Sequence, residues 1–215
     1  MKRILCYGDS NTWGYQAGSG MRFSEGVRWP CILQELLGEN YHVYENGMNG
    51  RTTAFEDELE PYRNGVQEII PALKVTEPLD VIVFMLGTND TKHHLGKKGY
   101  AIARGMEHLI QTAQNYFLCQ RDRVPQILLL APIEIAEDIE TKDACQEFDR
   151  ESVEKLKDLK KWYPVIAQQN GCHYMDAGDF ASPSAEDGIH MNPEGHRALA
   201  EAVAKYIKCE MTEKE

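Results

Sequence analysis

Two runs, Asp80–Leu86 (DVIVFML) and Gln126–Ala131 (QILLLA), carry apolar, often β-branched side chains at almost every position. A strand on an open surface alternates apolar and polar residues; one without alternation is buried on both faces. Such strands need a layer of helices above and below. The rest of the chain supplies them. Lys2–Tyr7 reads as a short apolar first strand, Tyr41–Glu45 alternates and reads as a peripheral one, and Cys172–Met175 is a short fifth. Between the strands lie helical patterns at Trp29–Leu37, Tyr62–Thr76, Tyr100–Cys119, Ser152–Asn170 and Pro193–Ile207. Pro30 and Pro193 suit first helical turns, Asn192 suits an N-cap, and Gly171 suits a helix stop. Gly65 and Pro71 blur the limits of the second helix. Strand–helix alternation predicts an α/β fold with a mostly parallel sheet covered on both faces. The 215 residues fit one domain, 1–215, and show no repeat or linker.

In such folds ligands bind beyond the carboxyl ends of the strands. Gly8-Asp9-Ser10 lies just past the first strand, Asn46-Gly47-Met48-Asn49-Gly50 past the second, and Gly87-Thr88-Asn89-Asp90 past the third. Asp187-Gly188-Ile189-His190 precedes the last helix. A serine is a weak nucleophile until a histidine takes its proton and an acid orients that histidine. Asp187 and His190, in one short turn, have the spacing to serve Ser10 together. Gly50 is able to point a backbone N–H at a ligand, and the Asn89 amide is able to donate to a developing oxyanion. Each motif taken alone also fits a cap or a turn.

Ser10 in GDSN, Gly50 in NGMNG, Asn89 in GTND and His190 in DGIH occur in order. Together they resemble the SGNH hydrolases, the GDSL-type esterases and lipases. The resemblance runs through essentially the whole chain. It implies a flavodoxin-like three-layer α/β/α sandwich with a five-stranded parallel sheet. It implies Ser10 as nucleophile, His190 as base, Asp187 as its orienter, and an oxyanion hole from the Ser10 and Gly50 N–H groups with the Asn89 amide. GDSNTWG, Arg28-Trp29, LGTND and DGIHMNPEGH are most similar to the arylesterase and acyltransferase branch. That implies short, acetyl-type acyl groups on small esters, acyl transfer in some members, and a homo-oligomer. Asn11 departs from the family's usual Leu, which bears on the substrate pocket. Asp9, Asn11 and Trp13 are the pocket candidates; Trp13 equally fits core packing. Within the family a thioesterase or lysophospholipase is the alternative, and outside it a non-catalytic binding module on the same fold. The Gly-x-Ser-x-Gly elbow of α/β-hydrolases is absent.

Other features exclude other classes. The net charge is −11 with no dense basic stripe, so neither nucleic acid nor an anionic membrane is an expected partner. No apolar run approaches the ~18 residues of a membrane span. After Lys2-Arg3, the run Ile4–Tyr7 falls short of the roughly 7–15 apolar residues of a signal-peptide core. The six cysteines form no Cys-x-x-Cys pair and read as free thiols, so a cytoplasmic location is expected. No His-Glu-x-x-His occurs, the adjacent His93-His94 is a poor chelating pair, and His196 reads as structural; no metal is expected. No Gly-x-Gly-x-x-Gly follows the first strand, and no cofactor is expected. Glu134–Phe148 is an acidic excursion that fits a lid, an oligomer contact or a surface helix. Thr212–Glu215 is expected to fray.

Overall fold

The computed structural model describes residues 1–211; the expected fraying at Thr212–Glu215 lies outside the described residues. Five strands form one parallel sheet in the order β2-β1-β3-β4-β5: β1 (Lys2–Gly8), β2 (Tyr41–Gly47), β3 (Val81–Met85), β4 (Gln126–Ala131) and β5 (His173–Asp176). This is the flavodoxin-like order. Side chains along each strand divide the core in two. Leu5, Tyr7, Ile82, Phe84, Ile127 and Leu129 face α3 (Gly65–Thr76), α4 (Gly99–Cys119) and α5 (Arg150–Gln169). Ile4, Cys6, Val81, Val83, Leu128 and Leu130 face α2 (Trp29–Leu37) and α6 (Pro193–Glu210). Hence β3 and β4 show no polar alternation: both of their faces are core. Each fully buried Leu, Ile or Phe contributes about 1.5–3 kcal/mol of burial free energy.

The peripheral reading of Tyr41–Glu45 holds, since β2 is an edge strand. Its outer edge is not left open. The Gln34 side chain accepts from Val43 N at 2.8 Å and donates to Tyr41 O at 3.1 Å, capping polar groups that otherwise invite another strand.

Several helix limits differ from expectation; α6 runs on to Glu210, past Ile207, and α3 and α5 start elsewhere. Tyr62 has φ +66°, so α3 cannot start there; Asn64 caps it by accepting from Val66 N, and helix begins at Gly65. Pro71 sits inside α3 on its exposed side, where the carbonyl it leaves unpaired meets water. α5 starts at Arg150, because Asp149 and Ser152 form a reciprocal capping box around that first turn. The excursion Glu134–Phe148 contains no α-helix; it folds into short 3-10 turns at Ile139–Thr141 and Asp143–Gln146. Among the described residues no helix is long and apolar enough to cross a membrane.

Candidate active site

The order reverses at β1, which lies between β2 and β3, and the loops that leave β1 and β3 flank a crevice there. Asp9 accepts from Asn11 N at 3.0 Å and so opens the single turn α1 (Ser10–Trp13), which carries Ser10 out past the end of β1. β2 ends against that turn. A Cβ on Gly47 would lie 2.1 Å from Trp13 N and 2.5 Å from the Thr12 carbonyl carbon, so only glycine lets the two segments meet. Opposite, Pro183 and Met191 bridge the two sides of the loop before α6. The Asn11 side chain donates to Ile189 O at 3.3 Å and accepts from Met191 N at 2.9 Å, tying that loop to α1.

These constraints bring three sequence-predicted residues into one chain. Ser10 Oγ lies 2.8 Å from His190 Nε2, and His190 Nδ1 lies 2.6 Å from Asp187 Oδ2. Asp187 Oδ1 accepts from the Ile189 and His190 amides, both at 3.0 Å. Burial pushes the Asp187 carboxyl up, but His190 and these amides outweigh it and hold it below its ordinary value. As a carboxylate it only accepts, so the Nδ1 proton stays between it and the ring. Nε2 is then left with a lone pair for the Ser10 proton. The Tyr15 ring stacks on the imidazole, with centroids 4.3 Å apart.

Gly50 and Asn89 line the same cleft as Ser10 and His190. Gly50 has φ +77°, and its amide, like that of Ser10, meets no protein acceptor among the described residues. The Asn89 amide donates one N–H to Arg51 O at 3.1 Å, which fixes the plane of its second N–H. The arrangement is able to take a proton from a hydroxyl, and it keeps the Gly50 and Asn89 donors in the same cleft.

A model of the GDSL-like lipase/acylhydrolase family matches residues 6–198. The chain belongs to that family. Among relatives of this GDSL-family chain is the acetylxylan esterase of Xylanibacter ruminicola, 27% identical over 222 aligned residues. The match covers 96% of this chain but 43% of that protein, so the chain spans less than half its length. The solved aryl esterase of M. smegmatis is 31% identical with a TM-score of 0.90, over 97% of this chain and 99% of the other. Est24, a carbohydrate acetylesterase from Sinorhizobium meliloti, is 30% identical with a TM-score of 0.88, over 97% and 99% of the two chains.

Three pocket candidates fall elsewhere in this GDSL-family structure. Asp9 and Asn11 are buried behind Ser10, and neither lines the cleft. The cause is the single turn of α1, which sends Ser10 outward and its neighbours inward. Trp13 is also outside the cleft wall, packed beside Tyr15 and under the Arg22 guanidinium at 5.3 Å. Burial raises the Asp9 carboxyl to about 6, against the Asn11 amide and the charge of His190.

The cleft, about 610 Å³, adds to the predicted site residues walls from Tyr15, Glu60, Lys92 and the acidic excursion. Lys92, with its side chain 2% exposed, reaches Glu60 and Glu147 at 2.8 Å each and joins opposite walls. Asp143, Ala144, Glu147 and Phe148 come from the acidic excursion, which is a cleft wall and not a surface helix. Signals for Lys92 were slight: it lies three residues after Asn89, inside the same turn. His93 and His94 serve different partners, Gln146 O at 2.9 Å and Asp57 Oδ1 at 3.0 Å. His196 is fully buried in the core, and its Nδ1 accepts from Trp29 N at 3.4 Å.

Proposed function

We propose that this chain hydrolyses small carboxylic esters through an acyl-Ser10 intermediate. The observation that carries this reading is the hydrogen-bonded chain Ser10–His190–Asp187 at 2.8 and 2.6 Å. His190 Nε2 takes the Ser10 proton as Oγ attacks the acyl carbon. The carbonyl oxygen becomes an anion held by the Ser10 and Gly50 amides and the Asn89 side chain. Collapse breaks the bond to the alcohol oxygen, which leaves with the proton from His190. Water repeats the sequence in reverse: His190 takes its proton, the hydroxyl attacks the acyl carbon, and Ser10 recovers its proton as the acid departs. An alcohol in place of water gives acyl transfer.

An acetyl-type acyl group on a sugar or aryl alcohol is the substrate class. The relatives named for acetylxylan, aryl and carbohydrate acetyl esters support it. So does the cleft, whose apolar lining is limited to Tyr15, Ala144, Phe148 and Ile189 among polar and charged walls. A lysophospholipase needs a continuous apolar groove. The six free cysteines support a reducing, cytoplasmic setting, and the exposed Leu59 and Tyr62 support self-association.

The test is a series of p-nitrophenyl esters of increasing acyl length, together with acetylated xylo-oligosaccharides. Turnover highest on acetate and falling with length is expected. Turnover that rises toward long chains contradicts the short-acyl reading.

A further inference from the structure

Arg51 directly follows Gly50, and its side chain turns inward until only 4% of the residue is exposed. Among the described residues no carboxylate pairs with it. Its Nη1 donates to Gly8 O at 2.8 Å and Asn46 O at 2.6 Å, and its Nη2 to Asn46 Oδ1 at 2.9 Å. The guanidinium lies over the Tyr7 ring, 3.9 Å from its centroid. Its Nε is buried without an acceptor among the described residues. Burial lowers the guanidinium from its ordinary value, with Tyr7 and Asp9 opposing. An arginine nevertheless keeps its charge near neutral pH. A buried cation is costly unless an anion offsets it. Carbonyl groups, a ring and the Asp9 and Glu68 carboxyls, neither of them bonded to it, offset it only in part.

The hydrogen bonds of Arg51 tie it to the segments that carry the proposed oxyanion donors. The Arg51 guanidinium grips the carbonyl of Gly8, two residues before Ser10. Its own carbonyl accepts from the Asn89 amide at 3.1 Å. Its backbone continues from Gly50. One residue is therefore bonded to each of the three segments that supply the proposed oxyanion donors. Beyond it, Thr53 N donates to both Asp90 oxygens at 3.0 Å and fixes the far end of the loop. The Asp9 carboxyl is buried in the same region but shares no hydrogen bond or ion pair with Arg51 among the described residues. The acyl oxyanion is the negative charge that turnover itself places beside these donors.

We propose that Arg51 is a positioning residue for the oxyanion site, whose buried positive charge favours the anion while its hydrogen bonds hold the Gly50 and Asn89 donors. This rests on the esterase reading above. The experiment compares wild type, Ser10→Ala, Arg51→Met and Arg51→Lys on p-nitrophenyl acetate. Folding is checked by thermal melting, and inhibition by a phenylboronic acid serves as a tetrahedral mimic. In Arg51→Met, kcat is expected to fall about a hundredfold with KM changed by less than about threefold. Boronate affinity is expected to weaken in parallel. Arg51→Lys, which keeps the charge, is expected to recover at least about tenfold of the loss.

A folded Arg51→Met with kcat within about threefold of wild type overturns the proposal, as does a loss expressed in KM alone. If Arg51→Met does not fold, Arg51→Lys decides alone. Folded Arg51→Lys with kcat within about tenfold of wild type supports a role for the charge, and a loss beyond about a hundredfold overturns it. Wild type without Ser10-dependent turnover is a different result, and it would sink the esterase reading itself.

Discussion

At Asp187 a single carboxylate does two separable things: it fixes the turn through two backbone amides and it fixes the tautomer of His190. Asp187→Asn keeps the size but reverses one of the hydrogen-bonding faces. We expect kcat to fall by roughly three to four orders of magnitude while the fold persists, with melting temperature as the control. A loss below about tenfold in kcat contradicts the orienting role. Asn89→Ala removes one proposed oxyanion donor and is expected to lower kcat by about 10²–10³ with little change in KM. If steady-state kinetics show KM rising with kcat unchanged, the amide acts in ground-state binding instead. Ser10, Gly50, Asn89, Asp187 and His190 were legible in the sequence because their chemistry is local: each sits in a short motif at a strand end or before a helix. Tyr15, Glu60 and Lys92 were not legible. They reach the cleft through loop paths that no spacing rule encodes.

Among the elements, β3 and β4 were readable to within a residue because burial on both faces leaves an unbroken apolar run. α3 was misplaced at its start, since Tyr62 is left-handed and Asn64 bridges to Thr52, a contact made across the loop. The acidic excursion was open between a lid, an oligomer contact and a surface helix. Its polarity suits a surface helix, yet its partners are Lys92 and the cleft. The packing of β2 on α1 is the element-scale contact with the sharpest consequence. Gly47→Ala drives a methyl group into the backbone of Thr12 and Trp13. Overpacking of this kind costs about 1–3 kcal/mol, and here it also displaces the turn that holds Ser10. Urea unfolding should show the loss, and p-nitrophenyl acetate turnover should fall with it. An unchanged unfolding midpoint with full activity would show that the two segments separate freely.

For the molecule as a whole, buried titratable groups make stability depend on pH in opposing ways. Burial, aided by the charges of His190 and Arg28, lowers His196 from 6.5 to about 4. Between those values the unfolded chain binds the extra proton, so stability is lost as pH falls through this window. The shift corresponds to about 3 kcal/mol. Asp9 and Asp90 act in the other sense. Burial raises them to about 6 and about 7, so the folded chain holds their protons longer and loses stability as pH rises from 3.8 toward those values. The difference between wild type and His196→Gln isolates the histidine. The variant is expected to lose less stability than wild type between pH 6.5 and 4 in urea titrations. Parallel profiles would mean that His196 titrates normally.

Acylation of Ser10, with His190 carrying the proton in and out, underlies every step proposed above. Its most direct test is hydrolysis of p-nitrophenyl acetate by wild type and Ser10→Ala side by side, with intact-protein mass spectrometry during turnover. Rapid hydrolysis and an acetyl adduct on Ser10 are expected in wild type, with neither in the folded variant. Full activity in Ser10→Ala, or an adduct on another residue, would contradict it.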